Sequence, residues 1–226
     1  MEVRTKMKRI AILMLVVALA AAMMIPAYAA GFTPSVEAKP APEIVSQTSK
    51  DGNEYGIIIY DADEEEVVGV PLSNLIVTPV SQASAAEPEI KENLESAYKQ
   101  IQSVSSLTEL SEDLESVIKE VSPTLTADDL VIRDLLDVTV TGYYADYLNQ
   151  EGNHITVRFS FSADEIDSLV AILHNYESTN WETVPNDRIT RNKDNTVDVV
   201  FYSLSPVAFV FDKEILNVDP DAPAAP

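Results

Sequence analysis

Asp61-Ala62-Asp63-Glu64-Glu65-Glu66 crowds acidic side chains into a single short stretch. Calcium is held by oxygen ligands, so Asp61, Asp63 and Glu65 are the candidate ligands, and calcium is the only metal this sequence supports. An EF-hand loop needs Gly at its sixth position for the sharp turn, and Glu66 stands there. A solvated acidic turn is the ordinary alternative. Asp128-Asp129 is expected to cap a short helical turn. Zinc is not expected, because closely spaced His or Cys ligands are missing and the chain has no cysteine. No other cofactor is expected.

Aromatic side chains supply the second kind of chemistry. Tyr143, Tyr144 and Tyr147 cluster beside a turn at 141–152, and Trp181 is the only tryptophan. A tyrosine offers a ligand an apolar face and a polar tip, so these four are the ligand-contact candidates, with packing as the competing role.

Nucleophilic catalysis needs a nucleophile and a base within hydrogen-bond reach. The base candidates are His154 and His174 only, and no G-x-S-x-G elbow accompanies them. His174 reads as a half-buried structural histidine near Trp181. His154, just after a turn, reads as solvent-exposed. Paired carboxylates for glycoside hydrolysis need a fixed separation that an acid-rich sequence does not locate. Six glycines leave little room for a phosphate loop.

The elements that must position these residues follow from periodicity. Residues 1–29 read as an export signal. Arg4, Lys6, Lys8 and Arg9 precede an uncharged apolar run from Ile10 to Ile25, and Ala27-Tyr28-Ala29 gives the small-x-small cleavage pattern. Met7 would open an equally complete signal. The run is shorter than the ~20 apolar residues a membrane helix needs. Residues 30–43 are a Pro/Ala-rich linker. Short strands follow at 44–80 around the Lys50-Asp51-Gly52-Asn53 turn, with Pro71 and Pro79 pointing to sheet edges.

Two amphipathic helices come next. The first carries Ile90, Leu94, Ala97, Tyr98, Ile101 and Val104 on one face, behind a Ser84/Glu87 capping box. The second starts at Ser106, carries Leu107, Leu110, Leu114, Val117, Ile118 and Val121, and stops at Ser122-Pro123. A connection this short predicts an antiparallel helical hairpin. Six strands then recur at roughly ten-residue spacing, in the manner of an antiparallel sandwich. They are Leu135 to Thr141, His154 to Ser162 with Ile155, Val157, Phe159 and Phe161 on one face, Leu169 to Tyr176, Trp181 to Val184, Val197 to Phe201, and Val207 to Phe211.

The expected fold is α+β and predominantly β: an antiparallel β-sandwich with an inserted or appended amphipathic helical hairpin. Its parts are the signal (1–29), the linker (30–43), short strands plus hairpin (44–122), a β-sandwich-like module (123–217) and a Pro/Ala-rich tail (218–226). Joint packing of 44–80 with the C-terminal strands is expected, because a few strands and two helices would struggle alone.

Charge narrows the partners. The 226-residue chain carries 15 basic and 37 acidic residues, a net charge of −22. The leader holds four of the basic residues and one acid, so its removal makes the remainder more acidic still. A field of that sign repels nucleic acid and anionic lipid. The acidic helix faces also have the wrong sign for an interfacial helix, so no membrane insertion is expected after signal cleavage. An absence of cysteine excludes disulfides, so an exported chain must rely on an ordinary hydrophobic core.

Asp137-Val138-Thr139, Gly152, the 155–161 alternation, Leu173-His174-Asn175-Tyr176, Trp181-Glu182 and Tyr202-Ser203-Leu204-Ser205-Pro206-Val207-Ala208 together carry a resemblance. Over roughly 130–215 the chain resembles the C-terminal β-module of secreted and wall-associated surface proteins of Gram-positive gut bacteria. That resemblance implies a secreted, non-enzymatic surface or matrix module that presents a β-sandwich to an extracellular protein or glycan. An exported carboxylate-dependent hydrolase acting on glycans is the rival reading, and a helper protein docking through its helical hairpin is a third. No LPxTG sortase signal closes the chain, so covalent wall attachment is not implied. The closing strand also looks like the last strands of self-cleaving modules in animal adhesion receptors, which cut after a His-Leu pair and before Ser or Thr. Ser203-Leu204-Ser205 stands at the equivalent place with no imidazole present to take the hydroxyl proton, so self-cleavage is not implied.

Overall fold

The computed structural model describes residues 42–176 and 180–216. The expected signal at 1–29, nearly all of the 30–43 linker and the 218–226 tail lie outside the described residues. The chain is mixed α and β with antiparallel sheets. Its strands are β1 (Glu43–Ile44), β2 (Gln47–Thr48), β3 (Glu54–Tyr55), β4 (Ile57–Tyr60), β5 (Glu66–Val70) and β6 (Leu75–Pro79), then β7 (Leu130–Val140), β8 (His154–Ser160), β9 (Leu169–Tyr176) and β10 (Asn180–Thr183), and last β11 (Ile189–Arg191), β12 (Thr196–Phe201) and β13 (Val207–Asp212). The α-helices are α1 (Pro88–Ser103), α2 (Leu114–Val121), α3 (Tyr144–Leu148), α4 (Ala163–Ser168) and α5 (Lys213–Leu216).

One sheet runs β11-β12-β8-β4-β5, with β1 also on β8, and the other runs β10-β9-β13-β7-β6. β4 pairs with β8 and β6 pairs with β7, so strands from 43–79 are hydrogen-bonded into both C-terminal sheets. Lys50 to Asn53 closes the small β2–β3 hairpin, with Gly52 at φ +82°.

The six-stranded sheet has one wet face. β8 and β12 alternate buried and half-buried residues, which is the period a one-sided sheet requires. On its outer side Arg158 donates to both carboxylate oxygens of Asp198, at 2.6 and 2.7 Å, from directly opposite positions. On its inner side Ile155, Val157, Phe159, Val197, Val199 and Phe201 join one apolar cluster with Val207, Phe209 and Phe211 of β13. Phe159 and Phe161 meet Phe209 edge-on, with ring centroids 5.1 and 5.3 Å apart. Such pairs contribute about 0.5–1.5 kcal/mol beyond the area they bury.

The five-stranded sheet is covered on both faces, so β7, β9 and β13 read as nearly unbroken apolar runs. Within β13, Val207, Phe209 and Phe211 belong to the inner cluster. Ala208 and Val210 belong to a second cluster with Ile90, Leu94, Ala97, Leu114 and Ile118 of the helices.

The helices differ from their sequence outline. The first starts at Pro88 with Glu87 as its cap residue, not at a Ser84/Glu87 box. Proline suits that first position, because its missing N–H would be unpaired there anyway, and residues Val80–Ala85 form a 3₁₀ turn instead. The second starts at Leu114, after a separate 3₁₀ turn at Leu107–Glu109. Each helix packs against a strand of the five-stranded sheet, α1 on β7 and α2 on β9, and α1 also packs against the 3₁₀ turn at Val80–Ala85. Both helices lie on that sheet, and their apolar faces share one cluster with it. Val121 is exposed. Among the described residues no helix is long and apolar enough to cross a membrane.

Candidate functional site

The acidic stretch closes the β4–β5 connection. The Asp61 carboxylate accepts from the backbone N–H groups of Asp63 and Glu65 at 2.9 and 3.0 Å, and the Glu65 carboxylate pairs with Lys50 at 2.8 Å. Glu64 sits at φ +62°, in the left-handed region. Asp61 and Glu65 therefore spend their carboxylates on the turn's own backbone and on a lysine, and no set of three or more His, Cys, Asp or Glu side chains converges on a metal position among the described residues.

The tyrosines are placed by a helix where a turn was expected. Gly142 (φ +76°) turns the chain out of β7 into α3. Tyr143 stacks on Tyr144 with centroids 4.2 Å apart and meets Tyr147 edge-on at 6.1 Å. Tyr144 and Tyr147 pack against the inner apolar cluster, whereas Tyr143 is 59% exposed. Tyr143 and Tyr144 line a cleft of about 510 Å³ with Ser49, Lys50, Asp51, Tyr55, Glu66, Val67, Val68 and Gly69. The far wall is β5, the edge strand of its sheet. Gly69 is required there: a Cβ on it would lie 2.3 Å from the Tyr55 ring. Asp51 accepts from the Asn53 backbone N–H, the Ser49 hydroxyl, the Asn53 amide and the Tyr55 hydroxyl. Those donors bring its carboxyl down to about 2, the Asn53 backbone bond contributing most.

Trp181 does not join this cleft. It is 9% exposed and lies in the helix-facing cluster, because position 181 of β10 points away from the inner face.

Both histidines are more buried than their neighbours in sequence implied. His154, expected in solvent, is 4% exposed, because Tyr60 stacks on it at 5.5 Å and Tyr202 covers it at 5.8 Å. Its Nε2 lies 3.2 Å from the Glu64 carboxylate. His174, expected to be half-buried beside Trp181, is 1% exposed and points the opposite way, toward Phe201 at 5.1 Å.

His174 also has polar partners at both ring nitrogens. Nε2 lies 2.7 Å from the Ser205 hydroxyl, and Nδ1 lies 3.1 Å from the Glu182 carboxylate. Glu182 is directly opposite His174 in the β9–β10 ladder and takes a second contact from Arg188 at 3.3 Å. Its carboxyl is held below the usual glutamate range, first by the His174 hydrogen bond and then by the Arg188 charge, against the opposing effect of burial. The expectation of no imidazole at Ser203-Leu204-Ser205 is corrected: His174 reaches the Ser205 hydroxyl from β9, 31 positions away in sequence. Neither Ser205 nor Glu182 was singled out as a site residue, since nothing in local spacing links 174, 182 and 205.

A further cleft of about 360 Å³ adjoins the same loop, lined by Tyr202, Ser203 and Leu204 together with Glu89, Asn93, Asp137, Thr139 and Asn149 among others. Asp137 is 2% exposed. Burial pushes its carboxyl up, and Glu89 adds to the rise, while a 2.6 Å hydrogen bond from Thr139 opposes it. Comparison with protein-family models, curated proteins and solved structures finds no match for this chain.

Proposed function

We propose that the chain is an exported, acidic binding module that acts outside the cell, at a surface or in a matrix, with its two sheets arranged as a β-sandwich. The leader-like opening of the sequence supports export. The observation that carries the reading is the Tyr143–Tyr144 cleft. It has an exposed aromatic face, a charged and hydroxylated rim at Ser49, Lys50, Asp51 and Glu66, and a volume suited to a small ligand. A neutral glycan fits that chemistry best. Sugar rings stack on aromatic faces, their hydroxyls hydrogen-bond to carboxylates, and a strongly acidic surface disfavours anionic ligands.

Calorimetric titration of the processed chain with soluble neutral oligosaccharides, chosen from an array, tests this. Binding that weakens about tenfold in Tyr143→Ala, equivalent to about 1.4 kcal/mol, supports the cleft. Binding that is unchanged in the Tyr143→Ala/Tyr144→Ala pair rejects it. Capture of a protein by the same cleft, with no glycan bound, replaces the ligand class and keeps the site.

One observation favours a second reading, a carboxylate-dependent hydrolase. Asp137, raised by burial, shares the 360 Å³ cleft with Glu89, and a buried carboxyl kept protonated beside a second acidic side chain is suited to act as a general acid. Turnover of chromogenic glycosides that disappears in Asp137→Asn would put this reading first.

A further inference from the structure

The Ser205–His174–Glu182 chain lies apart from the tyrosine cleft and has the polarity of an activated nucleophile. A carboxylate only accepts hydrogen bonds, so the neutral His174 ring carries its proton on Nδ1, facing Glu182. Nε2 is then an acceptor, and the Ser205 hydroxyl donates to it across 2.7 Å. This is the arrangement of nucleophile, base and orienting acid that recurs on unrelated folds. The His174 hydrogen bond, and after it the Arg188 charge, favour the ionised acid, and the 1% exposure of His174 keeps water from competing for Nε2.

The approach is through the loop. Ser205 lies in the irregular segment 202–206 between β12 and β13. Tyr202, Ser203 and Leu204, immediately before it, form one wall of the 360 Å³ cleft. Connecting loops open at lower free energy than the strands they join, so a small displacement of this one brings an acyl group to a hydroxyl that is now 8% exposed.

We propose that Ser205 is a nucleophile toward small, uncharged carboxylic esters, with His174 as its base and Glu182 as the positioning residue. The Ser205 oxygen forms a bond to the ester carbonyl carbon while its proton passes to His174 Nε2. The carbon–alkoxy bond then breaks, and Nε2 returns the proton to the departing alcohol. Water releases the acyl group from Ser205 by the same route. The chain's net charge of −22 disfavours anionic esters.

A fluorophosphonate probe on the intact chain reads the first half of this chemistry, since the serine oxygen displaces fluoride from phosphorus. Peptide mapping after labelling between pH 5 and 9 is expected to place one adduct on Ser205, at a rate that rises with pH because only an unprotonated imidazole accepts the hydroxyl proton. General-base assistance is worth about 10²–10⁴-fold, so His174→Gln should slow labelling by at least about 100-fold. Glu182→Gln should slow it less and move the midpoint of the pH profile. Ser205→Ala should remove the adduct. No adduct on Ser205 in the folded wild-type chain overturns the proposal, as does a pH-independent rate or a rate unchanged in Glu182→Gln. A chain break between Leu204 and Ser205 in place of an adduct also overturns it. The wild-type pH profile and Glu182→Gln decide the matter even where His174→Gln does not fold.

Discussion

The tyrosine cleft and the serine–histidine–glutamate chain are built in opposite ways. The cleft is open and largely local: Tyr143, Tyr144 and Tyr147 are neighbours in sequence, held by one helical turn. Its polar rim is the β2–β3 hairpin and the edge strand β5. The Ser205 chain is closed and assembled from a long stretch of sequence, with His174 on β9, Glu182 on β10, Arg188 in the 3₁₀ turn Asn186–Arg188, and Ser205 in the loop before β13. An open site takes its properties from its own residues, and a closed one takes them from the packing that encloses it. Substitutions should therefore separate the two regions.

Phe201→Ala should have the largest effect. Phe201 is 1% exposed and covers His174, so its loss is expected to cost about 3–5 kcal/mol in denaturant unfolding. Ser205 labelling should fall with it, while any glycan bound at Tyr143 is retained under conditions where the chain stays folded. Equal loss at both sites would erase the distinction.

Gly69→Ala should come next and act on the open side. The new methyl meets the Tyr55 ring near its attachment carbon, where rotation gives little relief. A loss of about 1–3 kcal/mol is expected, with a shifted Tyr55 ring resonance in NMR spectra and an unchanged His174 resonance.

Glu182→Gln should have a smaller effect, visible in its pH dependence. The folded carboxyl titrates below its ordinary value of 4.5, so its contribution is complete above that pH and is lost as pH falls through the lower, folded value. With its side chain 34% exposed, solvent screening limits the contribution to about 1 kcal/mol or less. Unfolding curves at successive pH values should show Glu182→Gln losing less stability than wild type below pH 4.5. Parallel curves would show that the His174–Glu182 contact adds nothing.

Tyr143→Ala should change stability least, within about 0.5 kcal/mol, because the side chain is 59% exposed. Thermal unfolding checks this, and a larger loss would make Tyr143 a packing residue in place of the proposed ligand contact. Asp51 offers a companion check at the rim: its carboxyl resonance should titrate near pH 2, rising only part of the way toward 3.8 in Ser49→Ala/Asn53→Ala, because the Asn53 backbone N–H, its strongest donor, remains.

Strand positions were legible where one face is wet. The Ile155, Val157, Phe159, Phe161 alternation marks the inner face of β8, and all four join the inner cluster. Leu169 to Tyr176 is a strand end to end, as its apolar run and flanking polar residues indicated. Thr126 and Asp129 form the cap that Asp128-Asp129 pointed to. Short elements were less legible. Residues 144–148 read as part of a turn but form α3, and Ala163–Ser168 forms α4 behind a Ser162/Glu165 capping box that ordinary loop composition concealed. Glu165 also reaches Arg133 at 3.0 Å, so α4 is fixed by a tertiary ion pair as well as by its cap.

By itself, the sequence determined the residue types, the acidic field, the apolar periodicities that place most strands, and the grouping of the tyrosines. These depend on near neighbours and on composition. Only the tertiary structure decided what His154 and His174 touch, which way Trp181 faces, and that Ser205 meets an imidazole. Side chains on adjacent strands meet through register, and the register of β9 against β10 and β13 is set by how whole sheets bury their faces. A one-residue slip in either ladder would send His174 to the helix side and leave Ser205 and Glu182 with no base between them.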